Sequence, residues 1–219
     1  MLAFSNNVVS EAIEAIKQIH RIIKIRSLIV LNPFFDTSTD GIKFVKVYPP
    51  IPKEFFKIGK TVLQNKLSQN LVVFRYMGRY HHSRGIVEVL KSFKKFKARR
   101  PNAKAKLIID AFSEYSNRKG FVNVVRNDVE IHVWNPLKHV KNGSLSPREV
   151  IKMVMNKYVH SSYIVLPYKS KQFVEPPLTL LEALATGSFV ITTNLLDPYI
   201  ENKDIATIVT VSYTHLRAH

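Results

Sequence analysis

The sequence predicts an α/β protein built on a mainly parallel sheet with helices on both faces. Three observations predict it. Short apolar runs alternate with helical periodicities from Asn70 to Thr210. The runs "AKLIIDAF" and "VEIHVW" read as buried strands of such a sheet. And 46% hydrophobic content over 219 residues suffices for one good core or two small ones.

The elements follow in order. "SNNVVSEAIEAIKQIHRIIKI" repeats apolar residues at Ile13, Ile16, Ile19 and Ile23, a helical spacing, and "SLIVL" and "KFVKVY" read as strands. In "YPPIPKEFF", Pro49, Pro50 and Pro52 impose extended backbone, so this stretch reads as a linker. Residues 1–52 are therefore expected to be the remnant of a first domain with its linker, and 53–210 a second domain. In the second, "LVVFRYMG" is a strand ending at Gly78, and "GIVEVLKSFKKF" a helix with Ile86, Leu90, Phe93 and Phe96 on one face and Lys91, Lys94 and Lys95 turned away. "AKLIIDAF" and "VEIHVW" are strands. "SPREVIKMVMNKYV" opens with Ser146 as N-cap, Pro147 at the first position and Glu149 closing a capping box, with Ile151, Val154, Met155 and Tyr158 as its buried stripe. "YIVLP" is a strand, "LTLLEALATG" a helix stopped by Gly187, and "SFVITTN" a strand.

Composition narrows the function classes. The chain has no cysteine, which removes disulfides, thiolate nucleophiles and thiolate metal sites and fits a reducing compartment. No apolar run has the length of a membrane span and no signal-peptide order opens the chain, so a cytoplasmic protein is expected. Lys and Arg number 33 against 16 Asp and Glu, a net charge of +17 that attracts polyanions. "KSFKKFKARRPNAKAK", Lys91 to Lys106, holds eight bases and no acid. A solvated helix face explains it first, peripheral contact with an anionic membrane second, and nucleic acid third. The final "VSYTHLRAH" resembles, codon for codon, a translated sequencing adapter; Val211 to His219 are set aside, leaving +16 without Arg217. The chain is thus expected to be a fragment.

Ligands of parallel sheets sit beyond the carboxyl ends of the strands, and two loops there carry chemistry. In "GRYHHSRG", Gly78 permits a tight turn, while Arg79 and Arg84 stand beside a helix N-terminus: an anion site suited to a diphosphate, or two surface arginines. His81 and His82, adjacent in one loop with no acidic ligand set nearby, do not make a metal site. In "EPPLTLLEALATG", Glu182 three residues after Thr179 is either a capping-box residue or an acceptor for the paired hydroxyls of a sugar or ribose. Glu175 would face the reacting group.

Taken in order, "MGRYHHSRG", "YIVLPY", "EPPLTLLEALATGSFVITTN" and Glu201, with the upstream "VYPPIPKEFFK", resemble the donor-binding half of a retaining glycosyltransferase of the GT-B fold, in the family 4-like group. The resemblance covers roughly Ser5 to Thr210 and implies a Rossmann-like domain binding a UDP- or GDP-linked sugar as substrate, without metal. It implies that Arg79 and Arg84 hold the diphosphate and offset its growing charge, that Glu182 binds the ribose and that Glu175 contacts the donor sugar. The backbone N–H groups of Leu178 and Thr179 complete the phosphate cradle after Gly78. A sugar or lipid-linked molecule would be the acceptor, and a hexosyl transfer in glycan biosynthesis the reaction, with the isolated fragment inactive. Three departures stand out: Arg84 replaces the usual Lys, the carboxylates are spaced Glu-x6-Glu with Val174 at the strict position, and Pro176 and Pro177 replace a glycine-rich turn. The alternatives are a non-catalytic basic α/β domain binding nucleic acid, and a degenerate transferase half acting as a binding partner.

Overall fold

The computed structural model describes residues 14, 17–18, 27–30, 42–47, 49–67, 70–112, 122–135, 140–170, 177–200, 204 and 206–209. Glu175, Glu201 and the adapter-like tail lie outside them, as does most of the expected amino-terminal helix, of which residues 14, 17 and 18 are helical. The chain divides into two compact units, Met1–Ile51 with Lys171–Leu178, and Pro52–Ser170 with Thr179–His219. In the first, β1 (Ser27–Val30) and β2 (Lys43–Lys46) pair in parallel, Ser27 opposite Lys43.

The second unit starts with a helix that the prolines conceal. α1 spans Lys53–Leu67, beginning inside the stretch read as a linker. Pro52 needs no N–H there, and its carbonyl accepts from Phe55 N at 3.0 Å, which turns the extended segment directly into helix. Seven strands follow in one sheet: β3 (Val72–Arg79), β4 (Ala105–Phe112), β5 (Val122–Arg126), β6 (Val129–Trp134), β7 (Tyr163–Leu166), β8 (Phe189–Thr193) and β9 (Ala206–Val209). Their spatial order is β5-β6-β4-β3-β7-β8-β9, all parallel except β5, which runs antiparallel to β6. Numbered among themselves, the six parallel strands read 3-2-1-4-5-6, the order of the doubly wound Rossmann-like fold. Strands β5 and β9 are additions to the sequence reading. α2 (Ile86–Arg99), α3 (Pro147–Val159) and α4 (Leu178–Ala185) are where it placed them. No helix among the described residues is long and apolar enough to cross a membrane.

The two faces of the sheet differ in chemistry. On the first, Phe74 and Tyr76 of β3, Leu107 and Ile109 of β4 and Val165 of β7 pack with Ile86, Val89, Phe93 and Phe96 of α2. The row of apolar positions on α2 serves this burial, and Lys91, Lys94 and Lys95 stay exposed. On the second face, beneath α3, Asp110 of β4 is 1% exposed and takes Arg75 Nη1 of β3 on one oxygen and Lys157 Nζ of α3 on the other. Arg75 Nε donates to Ser161 Oγ at 2.8 Å, and the Lys157 ammonium lies 4.7 Å from the Trp134 ring centroid. Burial holds the Lys157 ammonium below its ordinary pKa, against the opposing pull of Asp110.

α3 begins as its sequence requires. Ser146 N donates to Glu149 Oε2 at 2.6 Å and Glu149 N to Ser146 Oγ at 3.3 Å, with Pro147 at the first helical position. Met155 and Tyr158 are buried, whereas Ile151, expected in the stripe, is exposed: it sits in the first turn and a half, before the helix reaches the core. α1 docks on the end of α4. A Cβ on Gly59 would stand 2.4 Å from the Ala185 carbonyl, and Lys66, buried, donates to Ser188 Oγ at 2.6 Å and to the Thr186 carbonyl at 3.5 Å.

Two predictions follow from these buried charges. Asp110→Ala leaves Arg75 and Lys157 facing one another without their anion, so chemical denaturation is expected to show a loss of about 3–5 kcal/mol. Burial lowers the Lys66 pKa to about 8 from 10.5, so between those values the unfolded chain binds the extra proton. Unfolding free energy should therefore rise from about pH 8 toward pH 10, and Lys66→Met should flatten that slope; an unchanged slope contradicts the assignment.

Candidate functional site

The strand order reverses between β3 and β7, so the crevice at their carboxyl ends is where a doubly wound sheet holds ligands. Gly78 and Arg79 end β3. The Tyr76 hydroxyl donates to the Arg79 carbonyl at 2.7 Å, and a Cβ on Gly78 would come 2.9 Å from that hydroxyl, so the strand end is closed around a residue without a side chain. His82–Arg84 then form a single 3-10 turn. His81 Nδ1 accepts from Ser83 N at 3.3 Å and lies 2.7 Å from Ser83 Oγ, so this histidine folds the loop.

Gly85 joins that turn to α2 with φ 69°, a left-handed conformation. Its missing side chain matters more than its dihedral. A Cβ would stand 2.1 Å from the Pro167 carbonyl oxygen, just past the end of β7. Beside this contact Lys169 N donates to the Ser83 carbonyl at 2.9 Å and Lys169 Nζ to Glu88 Oε1 at 2.8 Å. Burial alone would raise the Glu88 carboxyl, but Lys169 holds it below its ordinary value. The loops on either side of the switch point are thus laced together by backbone and charge.

The candidate residues join through two tyrosines. The Arg84 guanidinium, half-buried, lies 4.7 Å from the ring centroid of the buried Tyr168. Burial pushes the Tyr168 phenol up, and Arg84 partly offsets it. Two residues into α4, Thr179 offers its carbonyl to the Tyr158 hydroxyl at 3.4 Å, and one turn on, Glu182 Oε2 accepts from the same hydroxyl at 2.7 Å. Burial raises the Glu182 carboxyl above its ordinary pKa, with the Tyr158 hydrogen bond opposing. Arg84 thus meets Tyr168, and Thr179 and Glu182 meet Tyr158, two contacts that flank the switch point.

This overturns the capping-box reading of "TLLE". Thr179 is inside the helix, and Glu182 is spent on a side chain of α3. Arg79 is exposed at the strand end, Leu178 is the exposed first residue of α4, and Glu175 lies outside the described residues. Tyr158 and Tyr168 were missed as site residues. Tyr158 looks like any core position of an amphipathic helix; Tyr168, two residues beyond β7, could have been suspected from its place at a strand end.

Chemically, Arg84, next to Gly85 at the amino terminus of the 14-residue α2, can take an anion with several oxygens, and Arg79 at the end of β3 adds a second cation to the same loop. A carboxylate held at one oxygen can accept from paired hydroxyls with the other.

No family profile and no curated protein matches the sequence. Among solved structures the chain is similar to WaaG, a glycosyltransferase involved in lipopolysaccharide biosynthesis, at 13% identity and TM-score 0.49, covering 86% of this chain and 51% of that one. It is similar to a chain of the GtfA/B complex at 13% identity and TM-score 0.49, covering 92% of this chain and 37% of that one. The chain spans about half the length of the first and less of the second.

The Gly85 contact can be weighed directly. Gly143 has the same φ of 69° but nothing within 4 Å of a Cβ. Gly143→Ala should cost only the left-handed penalty, about 1–2 kcal/mol. Gly85→Ala should cost clearly more in thermal or chemical unfolding, since the Pro167 carbonyl must move; equal losses contradict the close approach.

Proposed function

We propose that this chain carries the donor half of a GT-B glycosyltransferase, of the retaining, family 4-like type, and binds the nucleoside diphosphate part of a sugar donor at the switch-point crevice. What supports this reading is the pairing of Arg84 with Tyr168 and of Glu182 with Tyr158 on elements that flank the switch point, a cation and a hydroxyl acceptor in the order the sequence resemblance assigns to diphosphate and ribose. Arg79 and Arg84 take the diphosphate, with backbone N–H groups at Leu178 and Thr179 adding donors. Glu182 accepts from the ribose. Glu175 faces the donor sugar.

In the reaction the bond between the anomeric carbon and the diphosphate breaks, the diphosphate leaves with its electron pair, and an acceptor hydroxyl bonds to that carbon and gives its proton to a leaving diphosphate oxygen. The charge that grows on the leaving oxygens meets guanidiniums already in place, with no metal required. The acceptor, a sugar or a lipid-linked molecule, is bound by parts of the whole protein beyond this unit, so the 219-residue chain should bind nucleotide weakly and transfer nothing.

Calorimetric titration with UDP and GDP tests the reading. One of them should bind, Arg84→Gln should weaken it at least tenfold, and Glu182→Gln should erase the preference for the ribonucleotide over its 2′-deoxy counterpart. Because burial raises the Glu182 pKa, its carboxylate is lost earlier as pH falls. Affinity of the parent chain should therefore decline on acidification more steeply than that of Glu182→Gln, the ligand's own titration cancelling between them. Binding that ignores UDP and GDP but follows duplex DNA with a steep salt dependence would overturn the proposal.

A further inference from the structure

Strands buried on both faces read as continuous apolar runs, and "YIVL" and "FVI" in β7 and β8 do so. Their burial does not match. Ile164, Leu166 and Val190, on the face beneath α3 and α4, are fully buried, whereas Tyr163, Val165, Phe189 and Ile191 on the α2 face are only half-buried. Thr207 of β9, continuing that face, is exposed. This less buried half of the sheet forms an apolar groove of about 310 Å³ between α2 and β7–β8, lined among others by Phe74, Phe93, Phe96, Val165 and Ile191. On the same face of the sheet Phe74 stacks on Tyr163 at 5.2 Å and Tyr163 meets Phe189 at 5.9 Å.

The rim next to the groove is basic. Glu88 and Ser92 of α2 face into it, and Lys91, Lys95 and Arg99 follow at four-residue intervals, which stacks them in one row along that edge. All three are exposed, and none forms an ion pair within 4 Å among the described residues. A second copy of this chain, also at +17, would bring like charge to that rim. A flat bilayer does not fill a concave slot, and a nucleic acid would satisfy the row and leave the aromatic groove wet.

We propose that this groove seats an amphipathic helix, antiparallel or parallel to α2 and of similar length, with an apolar stripe against Phe74, Phe96, Val165 and Ile191 and carboxylates at four-residue spacing against Lys91, Lys95 and Arg99. Helix-in-groove docking of this kind needs anchors three and four residues apart, which a groove along a 14-residue helix, about 21 Å long, accommodates. The inference is independent of the nucleotide reading, since none of its residues lies in the diphosphate cluster.

The test uses the full 219-residue chain and labelled 18-residue helical peptides followed by fluorescence anisotropy. One peptide carries a leucine stripe flanked by glutamates, the second the same stripe flanked by lysines, and the third the first composition scrambled so that no stripe remains. The glutamate peptide should bind at least tenfold more tightly than either other. Reversing the row in K91E/K95E/R99E should cost at least tenfold, while K141E/R148E/K152E, the same charge change at exposed positions on and before α3, should cost much less. Ile191→Ser should weaken binding with little change in melting temperature. Equal binding of the scrambled peptide, or equal effects of the two charge reversals, reduces the result to bulk charge and overturns the proposal. So does association with phosphatidylglycerol vesicles that the row reversal abolishes, when no peptide binds.

Discussion

The close approach of Gly85 to the Pro167 carbonyl is the contact on which the rest of this architecture depends. It joins the start of α2 to the end of β7, the two elements that flank the point where the strand order turns back on itself. Any side chain at residue 85 would push these ends apart, and with them the Lys169–Ser83 and Lys169–Glu88 links that close the loops. Arg84 and Tyr168, one residue to either side of the contact, meet because of it. A backbone constraint thus sets the distance between a cation and the ring that holds it.

Around this constraint the two faces of the sheet divide the work. The α2 face is apolar and gives the strands β3 and β4 a dry core. The opposite face holds a buried cluster of two cations and one carboxylate, which ties β3, β4 and α3 to a single arrangement; such clusters add little net stability but penalise the wrong one. α3 then carries Tyr158 one residue beyond Lys157, so the helix that completes the ion cluster also delivers the hydroxyl that holds Glu182. Phe55 of α1 packs edge-on against the same ring at 6.0 Å, which links the first helix of the unit to the site.

Much of this was legible in the residues. The strands β3, β4, β6, β7 and β8 announce themselves as apolar runs, α3 by Ser146, Pro147 and Glu149, and α2 by its alternation of apolar and lysine positions. α1 was hidden because three prolines dominate its approach, although Phe55, Ile58, Val62 and Lys66 do recur at helical spacing. β5 and β9 are edge strands, short and partly polar, with too little periodicity to stand out. Arg79, Arg84 and Glu182 could be singled out by charge and position. What joins them could not, because Tyr158 and Tyr168 gain their roles from contacts 24 and 84 residues apart along the chain, Tyr158 to Glu182 and Tyr168 to Arg84.

The most direct test of the central claim is chemical-shift mapping of the isotope-labelled chain during titration with UDP and with GDP. Saturable shifts confined to residues 78–85 and 167–182, with one nucleotide favoured, are the result expected of a diphosphate crevice at the switch point. Shifts spread along the lysines of α2 and absent from both loops would contradict it.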